Sequence, residues 1–169
     1  HEVTSRPGDV KYADVDGDGK ITANDRTIIG NNQPDFIYGL TNTLSYKGFD
    51  LSINIQGVQG AKALNLGRRF FDNVEGNQNQ LTTVLGRWRS ESDPGDGKTP
   101  RANARTTGIN NVVSSRWVED ASYLRIQNIS LGYKLPTELI NKAKIQQARI
   151  YVSAQNLYTW TKYLNYNPE

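Results

Sequence analysis

The sequence predicts an all-β fold: antiparallel strands from the wall of a transmembrane β-barrel, with long loops on one side and an acidic, EF-hand-like loop ahead of the first strand. Three observations predict it. Apolar and polar residues alternate with period two over several stretches, the mark of a strand with one greasy face. These stretches are roughly ten residues long with aromatics near their ends, the length and the girdles a strand needs to cross a bilayer at a tilt. No run approaches the ~20 apolar residues of a membrane helix, so any crossing is made by strands.

The first element is the loop "DVDGDGKITANDR", residues 14–26. A calcium loop needs oxygen ligands at alternating positions, a glycine at the sharp turn and a closing carboxylate. Counting from Asp14, the residues Asp16 and Asp18 fall at positions three and five, Gly19 at six, Lys20 at seven where a backbone carbonyl serves, Thr22 at nine and Asp25 at twelve. Ile21 is the apolar pin. Aspartate in place of glutamate at the last position predicts a static, structural calcium site of modest affinity. Pro7 and Gly8 upstream argue against a long entering helix. The plain alternative is an acidic Asp/Gly turn without an ion.

The next element is a hairpin. In "DFIYGLTNTLSY", 35–46, Phe36, Tyr38, Leu40, Leu44 and Tyr46 share one parity. Lys47 and Gly48 make a tight turn, and "FDLSINIQG", 49–57, sets Phe49, Leu51, Ile53 and Ile55 against Asp50, Ser52, Asn54 and Gln56. Periodicity then stops from 58 to 121, a stretch far longer than an ordinary connection and punctuated by Phe70, Phe71, Trp88 and Trp117. It reads as a folded surface excursion with a short helix near 78–88. Strand signals return at "SYLRIQNISLGY", 122–133, where the apolar parity switches at Gln127 and Asn128 as a β-bulge would make it. "KLPTELINKAKI" reads as a connection with one short helix started by Pro136. "ARIYVSAQNLYTW" sets Ile150, Val152, Ala154, Tyr158 and Trp160 on one face, interrupted by Asn156.

Barrel topology then gives the loops an address. Inner-side turns are short and outer loops long, so the Lys47–Gly48 turn and the connection 134–147 are periplasmic. The acidic loop, within residues 1–34, and the excursion 58–121, within the partial barrel 35–169, are extracellular. Extracellular calcium modules work at roughly 10⁻⁴ to 10⁻³ M. Four to six strands cannot close a barrel, which takes about eight, and with no methionine and a single His1 the chain reads as a fragment cut at both ends.

Composition excludes several functions. The 20 Lys and Arg against 17 Asp and Glu give +3 without basic blocks, which argues against nucleic acid. Zero cysteines exclude disulfides and thiolate metal sites. The single histidine leaves no Ser/His/Asp or Cys/His set, so no enzyme is expected. Trp88 and Trp117, beside Arg87, Arg89 and Arg116, are candidates for contact with a sugar or another substrate; the alternative is that they anchor the loop's own small core or meet a partner.

These residues carry a family likeness. "GDVKYADVDGDGKITANDRTIIGNNQPDFIYGLTNTLSYKGFDLSINIQGVQG", "RW" at 87–88, "TPRA" at 99–102, "ASYLRIQNISLGYKLP" and "ARIYVSAQNLYTWTKYLNYNPE" together resemble the C-terminal part of the SusC/RagA-type TonB-dependent outer-membrane transporters of Bacteroidetes. The resemblance implies a 22-stranded barrel in the outer membrane of a Gram-negative bacterium, plugged by an N-terminal domain. It further implies import of glycans or peptides with a SusD-like surface lipoprotein as lid and TonB, ExbB and ExbD as energy source. Two soluble rivals are a dockerin-like binding module, which needs two copies of the loop each followed by a helix, and a secreted calcium-stabilised β-domain.

Overall fold

The computed structural model describes residues 5–103, 110–164, 166 and 168. His1, Asn167 and Glu169, at the ends read above as cut, lie outside the described residues, as do 104–109 of the long loop. Two compact units emerge: the chain up to Asn31 together with Ala63–Glu119, and Asn32–Lys62 together with the chain from Asp120 onward.

The second unit is a single antiparallel sheet. Strand β1 (Phe36–Tyr46) turns through Lys47 and Gly48 into β2 (Phe49–Gln59). Both turn residues have positive φ, 47° and 88°, the geometry whose twist matches that of a two-residue hairpin. After the short strand β3 (Lys62–Leu64), helix α1 (Leu66–Phe71) and the short strand β4 (Val118–Asp120), the chain returns as β5 (Tyr123–Lys134). The connection carries helix α2 (Thr137–Ile140) behind Pro136, a 3-10 turn and Lys144 at φ 58°, and leads into β6 (Arg149–Thr161). The sheet order is β1-β2-β5-β6. All four strands are 11 to 13 residues long, enough to cross a bilayer obliquely.

Register stacks like with like. One face carries the rows Tyr46, Phe49, Tyr133, Ile150; Leu44, Leu51, Leu131, Val152; Asn42, Ile53, Ile129, Ala154; Leu40, Ile55, Ile126, Tyr158; and Tyr38, Gly57, Leu124, Trp160. Aromatic rings mark both ends, with Phe49 and Tyr133 in contact at 4.4 Å and Tyr158 and Trp160 at 4.7 Å between centroids. Eight residues of β1 separate the two aromatic rows, about 27 Å along a strand. The opposite face carries Ser45, Asp50, Gly132, Tyr151; Thr43, Ser52, Ser130, Ser153; Thr41, Asn54, Asn128, Gln155; and Gly39, Gln56, Arg125, Thr159. There Asn54 donates to Thr41 at 2.8 Å and Arg125 to Thr159 at 2.9 Å. Arg149 reaches across Gly132 to hold Asp50 with two hydrogen bonds, and a Cβ at Gly132 would collide with that guanidinium. Asn42 is the one polar residue among the greasy rows, and nothing in the structure explains it.

A soluble sandwich would cover the greasy face with a second sheet. Here Leu44, Leu131 and Val152 are 59%, 46% and 68% exposed, and among the described residues of this unit no second layer exists.

The parity switch in β5 is a bulge that widens from strand to strand. Ile126 and Asn128 pair with the adjacent residues Ile55 and Asn54, leaving Gln127 extra. On the other side they pair with Tyr158 and Gln155, so β6 carries one more residue still. Asn156 absorbs it at φ 50°, a left-handed conformation that asparagine tolerates better than most residues. Asn156→Val is therefore expected to cost about 1–2 kcal/mol and Asn156→Gly almost nothing, read by urea unfolding of the full-length barrel in phospholipid; equal effects would show that φ at 156 is not the constraint.

The first unit has little apolar core. Trp117 is 0% exposed, and most of the other buried residues described in this unit are polar: Asn65, Asp72, Asn73, Glu75 and Asn110. Asn65 caps α1, its Oδ1 accepting from the Arg68 amide at 2.9 Å while its side chain donates to Glu119. Val74 sits at φ 53°, a conformation costing a β-branched residue of order 1–3 kcal/mol, and it persists because Asp72 to Glu75 are all buried. The helix expected near 78–88 is a 3-10 turn, Thr82–Gly86. The pairing of β3 with β4 and helix α1 had no strong signal in the sequence; Asn65 as a cap was the only local cue to α1.

Candidate functional site

The acidic loop folds around its own backbone. Asp14 accepts from the amides of Gly17 (2.7 Å) and Gly19 (2.8 Å), Asp16 from Asp18 (3.2 Å), and Asp18 from Lys20 (2.8 Å). Gly17 and Gly19 both have positive φ, 77° and 81°, which lets the chain coil back on itself. The result brings carboxylate oxygens of Asp14, Asp16 and Asp18 within 4.8 Å of one another, all exposed. Like charges so close repel unless a cation lies between them. Thr22 and Asp25 do something else: they form a capping box on a 3-10 turn, Thr22 accepting from Asn24 at 3.1 Å. The two oxygens of Asp25 accept from Thr22 (2.6 Å) and Val15 (2.7 Å), pulling the loop's ends together. The Thr22 and Val15 amides hold this carboxyl below its usual range.

A buried ion pair ties the segment before this loop to the long excursion. The side chain of Asp9 is 0% exposed. It accepts from Arg101 Nε at 2.8 Å, from the Arg6 amide at 2.9 Å and from Asn110 Nδ2 at 3.2 Å. Asn110 in turn accepts from the Val10 amide, and the Arg101 amide donates to Gly8 O, both at 2.8 Å. Gly8 lies flat on the Trp88 ring at φ 86°, where a Cβ would strike the indole.

Beside this clamp lies a groove of about 680 Å³, lined by Trp88, Pro94, Pro100, Lys98, Arg68 and Arg116 among others. Of the two tryptophans read above as candidates for ligand contact, only Trp88 borders the groove. Trp117 is fully buried, donates to Val112 O at 3.1 Å and carries the guanidinium of Arg116 at 4.3 Å over its ring, so it is the core of the unit and out of reach of a ligand. The groove's cationic residues, Arg68 and Lys98, were not singled out by sequence reasoning, because scattered basic residues carry no signal until the fold assembles them.

A single sheet, greasy on one side, wet on the other and edged by aromatic rings at both ends, is the wall of an outer-membrane β-barrel. No family model matches the chain. It is 38% identical over 165 residues to the TonB-dependent receptor P3 of Formosa agariphila, covering 98% of this chain and 16% of that receptor. It is 26% identical over 174 residues to the TonB-dependent receptor SusC of Bacteroides thetaiotaomicron, covering 100% of this chain and 16% of SusC. A solved structure of the RagAB peptide importer in the closed-closed state is similar with a TM-score of 0.72 and 29% identity, over 96% of this chain and 18% of that one. The chain spans about one-sixth of the length of the curated relatives it matches. It is a segment of a SusC/RagA-type TonB-dependent receptor, an outer-membrane protein of Gram-negative Bacteroidetes. Its relatives are receptors and transporters rather than enzymes. The dockerin-like rival required a helix after each loop, whereas β1 follows here.

Proposed function

We propose that the whole receptor imports glycans or peptides across the outer membrane through a plugged, 22-stranded barrel. A SusD-like lipoprotein forms its outer lid, and TonB, ExbB and ExbD supply the energy through the plug. The observation that carries this reading is the match of nearly the whole chain to TonB-dependent receptors, SusC among them, on a sheet patterned for lipid. Cells lacking the full-length receptor are expected to lose uptake of one class of glycan or peptide, and a lipoprotein is expected to copurify with the tagged receptor. Unchanged uptake over a panel of both classes would overturn the reading.

The acidic loop is proposed to hold a structural calcium ion. Asp14, Asp16 and Asp18 supply carboxylate oxygens, Lys20 a carbonyl, Thr22 its position-nine contact and Asp25 the closing carboxylate at position twelve, which also clasps the loop through its backbone amides. The donor set is all oxygen, which suits a hard cation. Calcium at ten times its Kd is expected to stabilise the loop by about 1.4 kcal/mol. EGTA is expected to speed proteolysis within residues 14–26 of the full-length receptor while leaving barrel unfolding unchanged. Elemental analysis finding no bound calcium, with cleavage indifferent to EGTA, would remove the ion.

A further inference from the structure

Each carboxylate lining the groove in the first unit is already engaged. Asp72 is held by Arg68 and Thr83, Asp9 by Arg101, and Asp96 by the amides of Lys98 and Thr99. Arg116 is different. Two of its donors go to backbone carbonyls, Asn110 O at 3.4 Å and Asp72 O at 3.0 Å, and its flat face lies on the Trp117 ring at 4.3 Å. Among the described residues no carboxylate pairs with it, although it is half-buried and borders the groove.

Burial works against this charge, and so does the neighbouring guanidinium of Arg68, which lies over the same Trp117 ring at 5.9 Å; together they outweigh the attraction of Asp72 and Asp96, which lie nearby without forming an ion pair with it. A cation withdrawn from water is normally paired, and a guanidinium has five N–H donors set in a planar fork that suits a carboxylate. Arg116 is held rigidly by the indole beneath it and by two carbonyls, one of them from Asp72 beside the strained Val74. An anion arriving there meets a pre-set donor, which lowers the cost of ordering on binding.

The rest of the groove narrows the ligand. Trp88, Pro94 and Pro100 supply flat apolar ring surface, while Thr83, Lys98 and Thr99 supply polar groups around it. The volume of about 680 Å³ lies within the ordinary range of ligand sites. No strand borders the groove in a position to pair with an extended peptide; its lining comes from loops, α1 and 3-10 turns. We infer that this groove is a binding site for a saccharide bearing a carboxylate, a uronic-acid residue whose carboxylate meets Arg116 and whose ring lies along Trp88. The inference rests on the import reading above and names the substrate class.

The test uses the full-length receptor in detergent, titrated calorimetrically with trimers of galacturonate, glucuronate and mannuronate. The expected result is binding of at least one trimer, weakened tenfold or more by methyl esterification of its carboxylates and by Arg116→Gln. Trp88→Ala, which leaves Arg116 in place, is expected to weaken it about fivefold, and Arg116→Lys to fall between wild type and Arg116→Gln. Failure of all three trimers, equal binding of the esterified sugar, an Arg116→Gln variant that binds as wild type does, or tighter binding of a tri-aspartate peptide would each overturn the proposal. Uptake assays separate this from the import reading: loss of neutral-glycan uptake in receptor-deficient cells with no uronate binding sinks only the groove. Uronate binding with every uptake intact sinks only transport.

Discussion

Arg101→Leu is expected to open the segment before the acidic loop, at a cost of about 3 kcal/mol, because it strands a carboxylate that the fold has taken out of water. Breaking one partner of a buried pair typically costs 3–5 kcal/mol, and the lower end applies since Arg101 itself keeps a quarter of its side-chain surface. The readout is hydrogen exchange at the amides that close the clamp, Val10 onto Asn110 and Arg101 onto Gly8. In the full-length receptor these are expected to exchange roughly 100-fold faster, since 1.4 kcal/mol is a factor of ten. The double variant Asp9→Leu, Arg101→Leu is expected to recover part of the loss, because both charges are gone. If the single and double variants exchange alike, Asp9 is not the stranded group.

The same pair sets a pH dependence. Burial pushes the Asp9 carboxyl up, but Arg101, the Arg6 amide and Asn110 together pull it further down, so its folded value lies below the usual one. A carboxyl depressed on folding stabilises fully above its unfolded pKa, about 3.9, and that contribution is lost as pH falls through the folded value. Protection at Val10 and Arg101 is therefore expected to hold from neutral pH down to about 4 and to fall below it in wild type. In the double variant that fall is absent.

The sheet was far more legible in the sequence than the other unit. Period two is a one-bit signal that each strand repeats many times, so Phe49, Leu51, Ile53 and Ile55 announce a face without any knowledge of their neighbours. The bulge at Gln127 was legible for the same reason, as a break in that signal. That β6 would absorb a further residue at Asn156 was visible only as an interruption, because pairing in the third dimension decides how a bulge propagates. The acidic loop was legible through spacing, yet Asp25 turned out to clasp two backbone amides, a choice that spacing alone does not make. The first unit was opaque. Its core is one tryptophan among buried asparagines and carboxylates, and hydrogen-bond networks between residues such as Asp9 and Arg101, 92 positions apart, leave no periodic trace. Trp88 and Trp117 looked equivalent in sequence; Gly8 against one indole and Arg116 over the other separate a groove wall from a core.

Ile53→Arg is expected to destabilise the inserted full-length barrel by about 2–4 kcal/mol, the cost of arginine at the bilayer midplane on a lipid-facing strand. The row Asn42, Ile53, Ile129, Ala154 lies midway between the two aromatic rows, so a charge there is as far as it can be from either interface. Ile53 belongs to β2, flanked by β1 and β5, which leaves the long side chain no free edge around which to escape. Arginine at the adjacent position, Asn54→Arg, points to the face where Thr41 and Asn128 stand opposite; it gives up the hydrogen bond to Thr41 and is expected to cost about 1 kcal/mol, well below the cost at 53. Two neighbouring residues of one strand thus carry opposite expectations, and only the medium against each face distinguishes them. Urea unfolding in phospholipid reads the difference directly. Equal costs at 53 and 54, or a larger cost at 54, would mean that lipid does not lie against the row of leucines and isoleucines, and the barrel orientation assigned to this sheet would be wrong.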